Sequence, residues 1–464
     1  MMSLLRTLRH EGGPSTMYNF ITDLLNIDEK TIKNITVSKN DELTEFHIIL
    51  NPENLSCPYC GGSAHAFGFA KPKTINHPAL TGGASVIVFK PRRYRCCECL
   101  KTFSGTNPFA FSAFKNSYFA LDNVMRNLAN LNYTYKMVAD INHISVTQVQ
   151  RYFDSFVSIP RMRLPESIGI DEIHSRMAGR KDSAYLCVMV DNQQRTLFEI
   201  LPSRSKNELS RYFDKISEAE RNSVKYVTID MWQPYKDIAL KYFKNAAIAV
   251  DPFHVVKHLT ESFSRIRLNI LYQVEHGSDS YYLLKTWKDL VEKDSFLDNA
   301  PRFNSRFKRY LSKRDLQNMI FDISENLTLG YRLKEMYLKF NKEATEDNCE
   351  AWFKTVLAAF KESHISEYDE FVSMLERWEA EILNSFKRPY DDRKLSNALS
   401  ENINGKIRTY LSISNGITNF IRFRKRCLFA LNHKIFYSIT SRLKTDKSQG
   451  KPRGKYNKTI DNKQ

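Results

Sequence analysis

Ser167-Ile168-Gly169-Ile170-Asp171-Glu172-Ile173-His174 is the stretch whose reading decides the fold. It is a short apolar run rich in branched residues that ends on acids, bounded by Pro165 on one side and a turn containing Gly179 on the other. That pattern predicts a buried strand delivering the Asp171 carboxylate to its end. Val224-Lys225-Tyr226-Val227-Thr228-Ile229-Asp230 repeats the design farther along and closes on a second aspartate. A strand-end aspartate taken singly reads more readily as a turn residue. Two of them on neighbouring strands point to a divalent-cation site. Around these runs, residues 185–190, 196–201 and 246–251 read as strands and 206–219 and 235–243 as helices. The series is three strands suited to antiparallel pairing, then helix, strand, helix, strand.

A chain of 464 residues is too long for one ordinary core, so several domains are expected. Lysine and arginine outnumber aspartate and glutamate by 69 to 52, a net charge of +17. Such an excess favours a polyanionic partner, most simply nucleic acid. No run of uncharged apolar residues is long enough to span a bilayer, and residues 1–16 lack a hydrophobic signal core. A cytoplasmic, nucleoid-associated protein with no membrane partner is therefore expected. The eight cysteines do not form a disulfide scaffold. Four of them make two Cys-x-x-Cys pairs, Cys57-Pro58-Tyr59-Cys60 and Cys96-Cys97-Glu98-Cys99. Each short turn sets two thiolates on one side, and two such turns supply the four soft ligands of a tetrahedral zinc ion. Cys57, Cys60, Cys96 and Cys99 are the expected ligands of one structural zinc, with Cys97 spare. Arg92, Arg93 and Arg95 beside the second knuckle are candidate DNA contacts.

Toward the N-terminus, residues 18–27 suggest a short helix and 32–50 a hairpin. Residues 117–157 carry helical periodicity, with a break that makes 137–151 resemble a helix-turn-helix. Its second helix would offer Thr147, Gln148, Gln150 and Arg151 to base edges. Residues 255–385 read as almost wholly helical, with a break at Pro301. Beyond them Leu395, Leu399, Ile403 and Ile407 mark the buried side of a helix, leaving Asn397, Glu401, Asn404 and Arg408 on the other side. Asn404, Lys406 and Arg408 are candidate phosphate contacts near Glu401. Glu172 alternates away from Asp171. Glu172, Asp191 and the Glu346/Glu350 pair read as acids outside the site.

Taken in order, these motifs resemble the ISL-three group of insertion-sequence transposases. The resemblance rests on the two knuckles followed by Thr102-Phe103, on Gly169-Ile170-Asp171-Glu172, and on Thr228-Ile229-Asp230-Met231-Trp232-Gln233-Pro234-Tyr235. It extends through Asp251-Pro252-Phe253-His254 to Leu395-Ser396-Asn397-Ala398-Leu399-Ser400-Glu401-Asn402-Ile403-Asn404-Gly405-Lys406-Ile407. The resemblance implies a DDE enzyme in which Asp171, Asp230 and Glu401 are catalytic and hold two Mg2+ (or Mn2+) ions, with Asp251 and His254 orienting them from behind. The expected architecture is multidomain α+β. It has an N-terminal helix and hairpin (1–50), a zinc ribbon (51–112) and a helix-turn-helix domain (113–160). A ribonuclease-H-like α/β catalytic core (161–260 and 390–435) follows, with a helical insertion (261–389) and a basic disordered tail (436–464). The expected partners are double-stranded DNA, as inverted-repeat ends and target, and further copies of the chain in a homodimer or higher assembly. The rival expectation is a catalytically silent DNA-binding regulator derived from such an enzyme.

Overall fold

The structure, a computed structural model, describes residues 25, 27–78, 83–111, 114–175, 183–293, 297, 299–390, 392–414 and 416–440. Apart from residues 25 and 27, the helix expected at 18–27 lies outside them, as do the Gly179 turn and the tail beyond residue 440. The chain divides into two compact units, residues 1–160 with 433–464, and residues 161–432.

In the first unit, β1 (Ile32–Lys39) and β2 (Leu43–Leu50) form an antiparallel hairpin. The Asn40 side chain closes its turn, its Oδ1 accepting from the amides of Glu42 at 3.1 Å and Leu43 at 2.6 Å. β3 (Ala64–Phe69), β4 (Lys73–Asn76), β5 (Ala84–Phe89), β6 (Arg92–Cys96) and β7 (Thr102–Ser104) follow. One sheet runs β1-β2-β5-β4, with β2 and β5 parallel, and a second runs β3-β6-β7 beside the knuckles. The expected division at residue 50 therefore needs correction, because β5 pairs with the hairpin. A lone hairpin cannot bury its inward residues. Phe46 and Ile48 from β2, Ile75 from β4, and Ile87 and Phe89 from β5 make one common core.

Three helices complete this unit: α1 (Tyr118–Leu128), α2 (Tyr135–Ile141) and α3 (Val146–Phe156). Ser117, Thr134 and Ser145 cap them by accepting from backbone amides three residues on. The turn between α2 and α3 passes through His143 at φ 52°. Tyr437 returns to this group. It bridges to Val157, and its hydroxyl donates to Asp122. The boundary expected at 436 is thus displaced, since residues 437 and 438 are tied to the end of α3.

The second unit is built on a five-stranded sheet of order β10-β9-β8-β11-β12. β8 is Ser167–His174, β9 Tyr185–Asp191, β10 Thr196–Leu201, β11 Tyr226–Ile229 and β12 Ala247–Val250. β10, β9 and β8 are antiparallel, whereas β8, β11 and β12 are parallel. The helix expected over 206–219 is two helices, α4 (Lys206–Phe213) and α5 (Glu218–Arg221), because Ser217 caps a fresh start. α6 (Gln233–Tyr242) and α7 (Pro252–Gln273) follow β11 and β12.

The next segment is α8 (Asp279–Thr286), α9 (Asp289–Glu292), then α10 (Lys313–Phe321), α11 (Glu325–Glu343), α12 (Cys349–Glu362), α13 (Asp369–Arg377) and α14 (Glu379–Asn384). It is not wholly helical: a hairpin of β13 (Arg302–Asn304) and β14 (Arg309–Leu311) begins immediately after Pro301. Nor is it a separate body. Its Tyr337, Phe340 and Phe386 belong to the same apolar core as Ile168, Val227 and Val250 of the sheet, and the Asn384 amide donates to the Ile248 carbonyl of β12 at 2.9 Å.

α15 (Ala398–Ile413) then crosses β8, and α16 (Phe420–Leu431) packs on β10. Close passage of α15 depends on Gly169. A Cβ there would sit 2.7 Å from Val190 Cγ2, 2.9 Å from Ser400 Oγ and 3.1 Å from Thr228 Oγ1. Gly169→Ala should therefore destabilise the unit by about 1–3 kcal/mol through overpacking. In urea denaturation the midpoint should fall, and adding Val190→Ala should recover part of the loss.

Candidate catalytic centre at the strand ends

β8 and β11 run in register, with Thr228 opposite Gly169. Asp171 therefore lies two residues beyond that pairing. The sequence pattern set it at a strand end, which needs correction, because β8 continues to His174 in pairing with β9. Asp230 lies one residue past the end of β11. Asp251 occupies the matching place after β12 and is the N-cap residue of α7. α15 is fastened over these ends by buried polar contacts. Asn397, its N-cap residue, donates from Nδ2 to the Ile170 carbonyl at 3.0 Å and accepts the Thr228 hydroxyl at 2.8 Å. Its amide points to Asp251 Oδ1 at 3.4 Å. Two turns on, Asn404 Nδ2 donates to Asp171 Oδ2 at 2.8 Å. Glu401 lies between these two asparagines, in the first turn of the helix, with its side chain exposed.

The ligand atoms of Asp251, His254 and Glu401 all lie within 4.8 Å of one another, a group able to hold a metal ion. Asp171 and Asp230 are not members of that group. They are nonetheless electrically coupled to the acids around them. Burial pushes the Asp171 carboxyl up to about 7, and the charges of Glu172 and Glu401 add to the rise, while the Glu172 amide and Arg408 oppose it. Burial likewise lifts Asp230 to about 7, with Glu172 and then Asp171 raising it further against the Trp232 amide and Arg204. Asp251 is raised by burial too, opposed chiefly by His254. Asp251 and His254 were expected behind the site; they stand within ligand distance of Glu401. Their approach follows from α7 starting directly off β12, so that His254 falls in its first turn. The Asn404 Oδ1 is buried and has no hydrogen-bond partner. An oxygen-rich donor set of this kind suits a hard divalent cation.

The exposed side proposed for α15 needs correction. Asn397 and Asn404 are fully buried along with Ser400, Ile403 and Ile407, whereas Lys406 and Arg408 are exposed. Asn404 is therefore not a DNA contact but a brace for Asp171. A polar stripe at spacings of three and four residues looks solvated in sequence, yet here it satisfies strand-end groups. Arg92 is also occupied. Its Nε donates to the Leu50 carbonyl at 3.1 Å, and its guanidinium lies 4.8 Å from the Phe69 ring centre. Arg93 donates to Thr102 at 3.0 Å, and Arg95 lies over Phe67. On α3, Thr147 and Arg151 are exposed and Gln148 and Gln150 half-buried. Glu172 pairs with Arg204 at 2.6 Å, Asp191 accepts the Gln193 and Gln194 amides, and Glu350 pairs with Lys354.

A family model described as Transposase, that of the ISL-three DDE group, matches residues 168–427, more than half of the chain. The chain belongs to the ISL-three family of DDE transposases. No curated protein matches it. Membership makes the protein a transposase-type enzyme that acts on DNA and implies a divalent metal. Among the described residues, no helix of the transposase is long and apolar enough to cross a membrane.

The transposase also carries the four-cysteine group. Sγ atoms of Cys57 and Cys99 are 3.6 Å apart and those of Cys60 and Cys96 3.4 Å, and all four lie within 4.8 Å of one another. The Cys99 amide, joined by that of Glu98, lowers the Cys96 thiol to about 6. At Cys60 the Gly62 amide is outweighed by the neighbouring thiols, which push it up to about 12, as expected where four thiols crowd together and share protons. Exposed Cys97 stands apart, facing His65 Nδ1 at 3.6 Å.

On the expectation that the four thiolates hold one zinc ion, the purified protein should contain it in stoichiometric amount and Cys57→Ser or Cys96→Ser should abolish it, as measured by atomic emission. Asp171 and Asp230 ionise near 7 in the folded chain against an ordinary value of 3.8. Their contribution to stability is therefore complete below the unfolded value and is lost as pH rises through about 7. Metal-free protein should melt lower at about pH 8 than at about pH 6, and added Mg2+ should raise the melting temperature more at the higher pH.

Proposed function

We propose that this transposase cuts DNA at the ends of its element and joins the freed ends to target DNA, using Asp171, Asp230 and Glu401 as its catalytic acids. The observation that carries the reading is the bond from Asn404 to Asp171, because it ties the helix bearing Glu401 to the strand bearing the first aspartate. Asp230 stands on the adjoining strand and is coupled to Asp171 by charge. The antiparallel-then-parallel sheet with its helical segment before Glu401 supports a ribonuclease-H-like core, and α2 with α3 supports a helix-turn-helix.

Two divalent ions, when bound, activate the attacking oxygen and neutralise the leaving one. The residues of the chain have separate tasks. Asp171 would offer a carboxylate from within β8, Asp230 one from just past β11, and Glu401 a third from α15. Asp251 and His254 stand beside Glu401 on the β12 side and would share a metal ion with it. Asn404 fixes the Asp171 rotamer through Oδ2. In the first step a water oxygen bonds to phosphorus and the bond to the 3′ oxygen breaks, leaving a 3′ hydroxyl on the element. In the second step that hydroxyl attacks a target phosphate and expels the target's own 3′ oxygen. No covalent enzyme intermediate is formed. Exposed Lys406, Arg408, Thr147 and Arg151 are available to DNA phosphates or base edges, and the zinc ribbon contributes Arg93 and Arg95.

The test uses DNA carrying the flanks of the gene. Intact protein with Mg2+ should nick it and join products to a second duplex, while Asp171→Asn, Asp230→Asn and Glu401→Gln should bind equally and cut at least about 100-fold more slowly. Asn404→Ala should slow cutting by about 10- to 100-fold. Binding without cutting by the intact protein would instead make it a regulator, and cutting without joining would make it a nuclease. Affinity should drop by roughly three to five decades between about 50 and 200 mM salt if some six to ten phosphates are contacted.

A further inference from the structure

Asp171 and Asp230 reach the site from different chain segments, and something must fix the turn after β11 against the end of β8. We infer that Arg204 is the positioning residue that does this, acting on Asp230 through Trp232. This inference rests on the reading of Asp230 as a catalytic acid.

Arg204 leaves the end of β10, and its amide is bonded to the Tyr185 carbonyl of β9 at 3.2 Å. Its guanidinium lies over two aromatic rings, 4.1 Å from the centre of Tyr185 and 4.3 Å from that of Trp232. The edge of the guanidinium pairs with Glu172 Oε1 at 2.6 Å. Both partners are largely enclosed, at 22% and 18% side-chain exposure, so the pair is little weakened by solvent. Glu172 is the residue after Asp171 on β8. Trp232 is two residues after Asp230, and its backbone amide donates to Asp230 Oδ1 at 3.0 Å. The Trp232 ring is also set edge-on to Tyr235, at 4.7 Å and 86°.

The chain of contacts therefore runs from Glu172, beside one catalytic aspartate, through Arg204 to Trp232, whose amide holds the other. Asp171 itself accepts from Asn404 and from the Glu172 amide, neither of which is bonded to Asp230. The Arg204 charge also favours the ionised form of Asp230. Only a planar cation fits this place. An arginine can stack both faces while its edge keeps the carboxylate, whereas a lysine ammonium is a point charge that cannot fill the space between two rings.

The experiment compares full-length intact protein, Arg204→Ala, Arg204→Lys, Trp232→Leu and Asp230→Asn on the same flank DNA, with folding of each checked by thermal melting. Arg204→Ala should raise the Mg2+ concentration needed for half-maximal cutting by about 10- to 100-fold, with DNA affinity unchanged. Guanidinium ion in solution should restore part of its cutting, and an equal concentration of urea should not. Arg204→Lys should show the same metal defect without rescue. Trp232→Leu leaves the ion pair in place and should reproduce the metal defect, so it carries the test if Arg204→Ala does not fold.

An unaltered Mg2+ requirement in Arg204→Ala and Trp232→Leu overturns the proposal. A loss of DNA affinity that saturating DNA repairs also overturns it, by making Arg204 a phosphate contact. If Asp230→Asn cuts like the intact protein, the assignment of the site fails and this inference with it. If Asp230→Asn is inactive while the Arg204 and Trp232 variants behave as intact, only the inference fails.

Discussion

The buried hydrogen bonds of Asn397 are the constraint on which the second unit depends. One side chain joins the Ile170 carbonyl, the Thr228 hydroxyl and the first turn of α15, and its amide approaches Asp251. The Ile170 carbonyl and the Thr228 hydroxyl lie where the pairing of β8 with β11 stops, and each would be costly to bury unpaired. A helix entering at this point satisfies them together. Gly169 supplies the clearance, since any larger residue would press on Ser400 and hold the helix away. Glu401 comes within ligand distance of Asp251 and His254 with the helix seated this deeply.

Seating α15 also explains the electrostatics. Asp171, Asp230 and Asp251 are all drawn out of water near other acids, and burial is the leading cause of each upward shift. Carboxylates held in this way are poorly stabilised by the protein alone. A bound cation would relieve the repulsion, in keeping with the proposed role of these acids. Asn404 and Arg204 contact successive residues of β8. The first braces Asp171, and the second lies against Glu172 and Trp232.

The helical segment between α7 and α14 contributes to the same framework. Its aromatic residues complete the core beneath β12, and Asn384 is bonded to the Ile248 carbonyl. The chain thereby returns to the sheet with α15 starting close to Asp251. In the first unit a comparable economy operates. β5 leaves the knuckle region to pair with β2, because a hairpin and a ribbon each lack enough apolar surface to stand alone.

Sequence alone determined the strands that carry Asp171 and Asp230, the paired cysteines and the helix of Glu401. These depend on local patterns: apolar runs ended by acids, two-residue spacers between thiols, and a period near 3.6. Only tertiary structure decided that Asn397 and Asn404 face inward, because their partners are carbonyls and carboxylates more than 140 residues away in the chain. A polar residue on a helix has the same sequence signature whether water or a distant strand end satisfies it. The same holds for Arg204, whose two rings come from β9 and from the turn after β11. His254 and Asp251 were visible as a motif. Their reach to Glu401 came from the order in which parallel strands β8, β11 and β12 lie side by side, which no local pattern encodes.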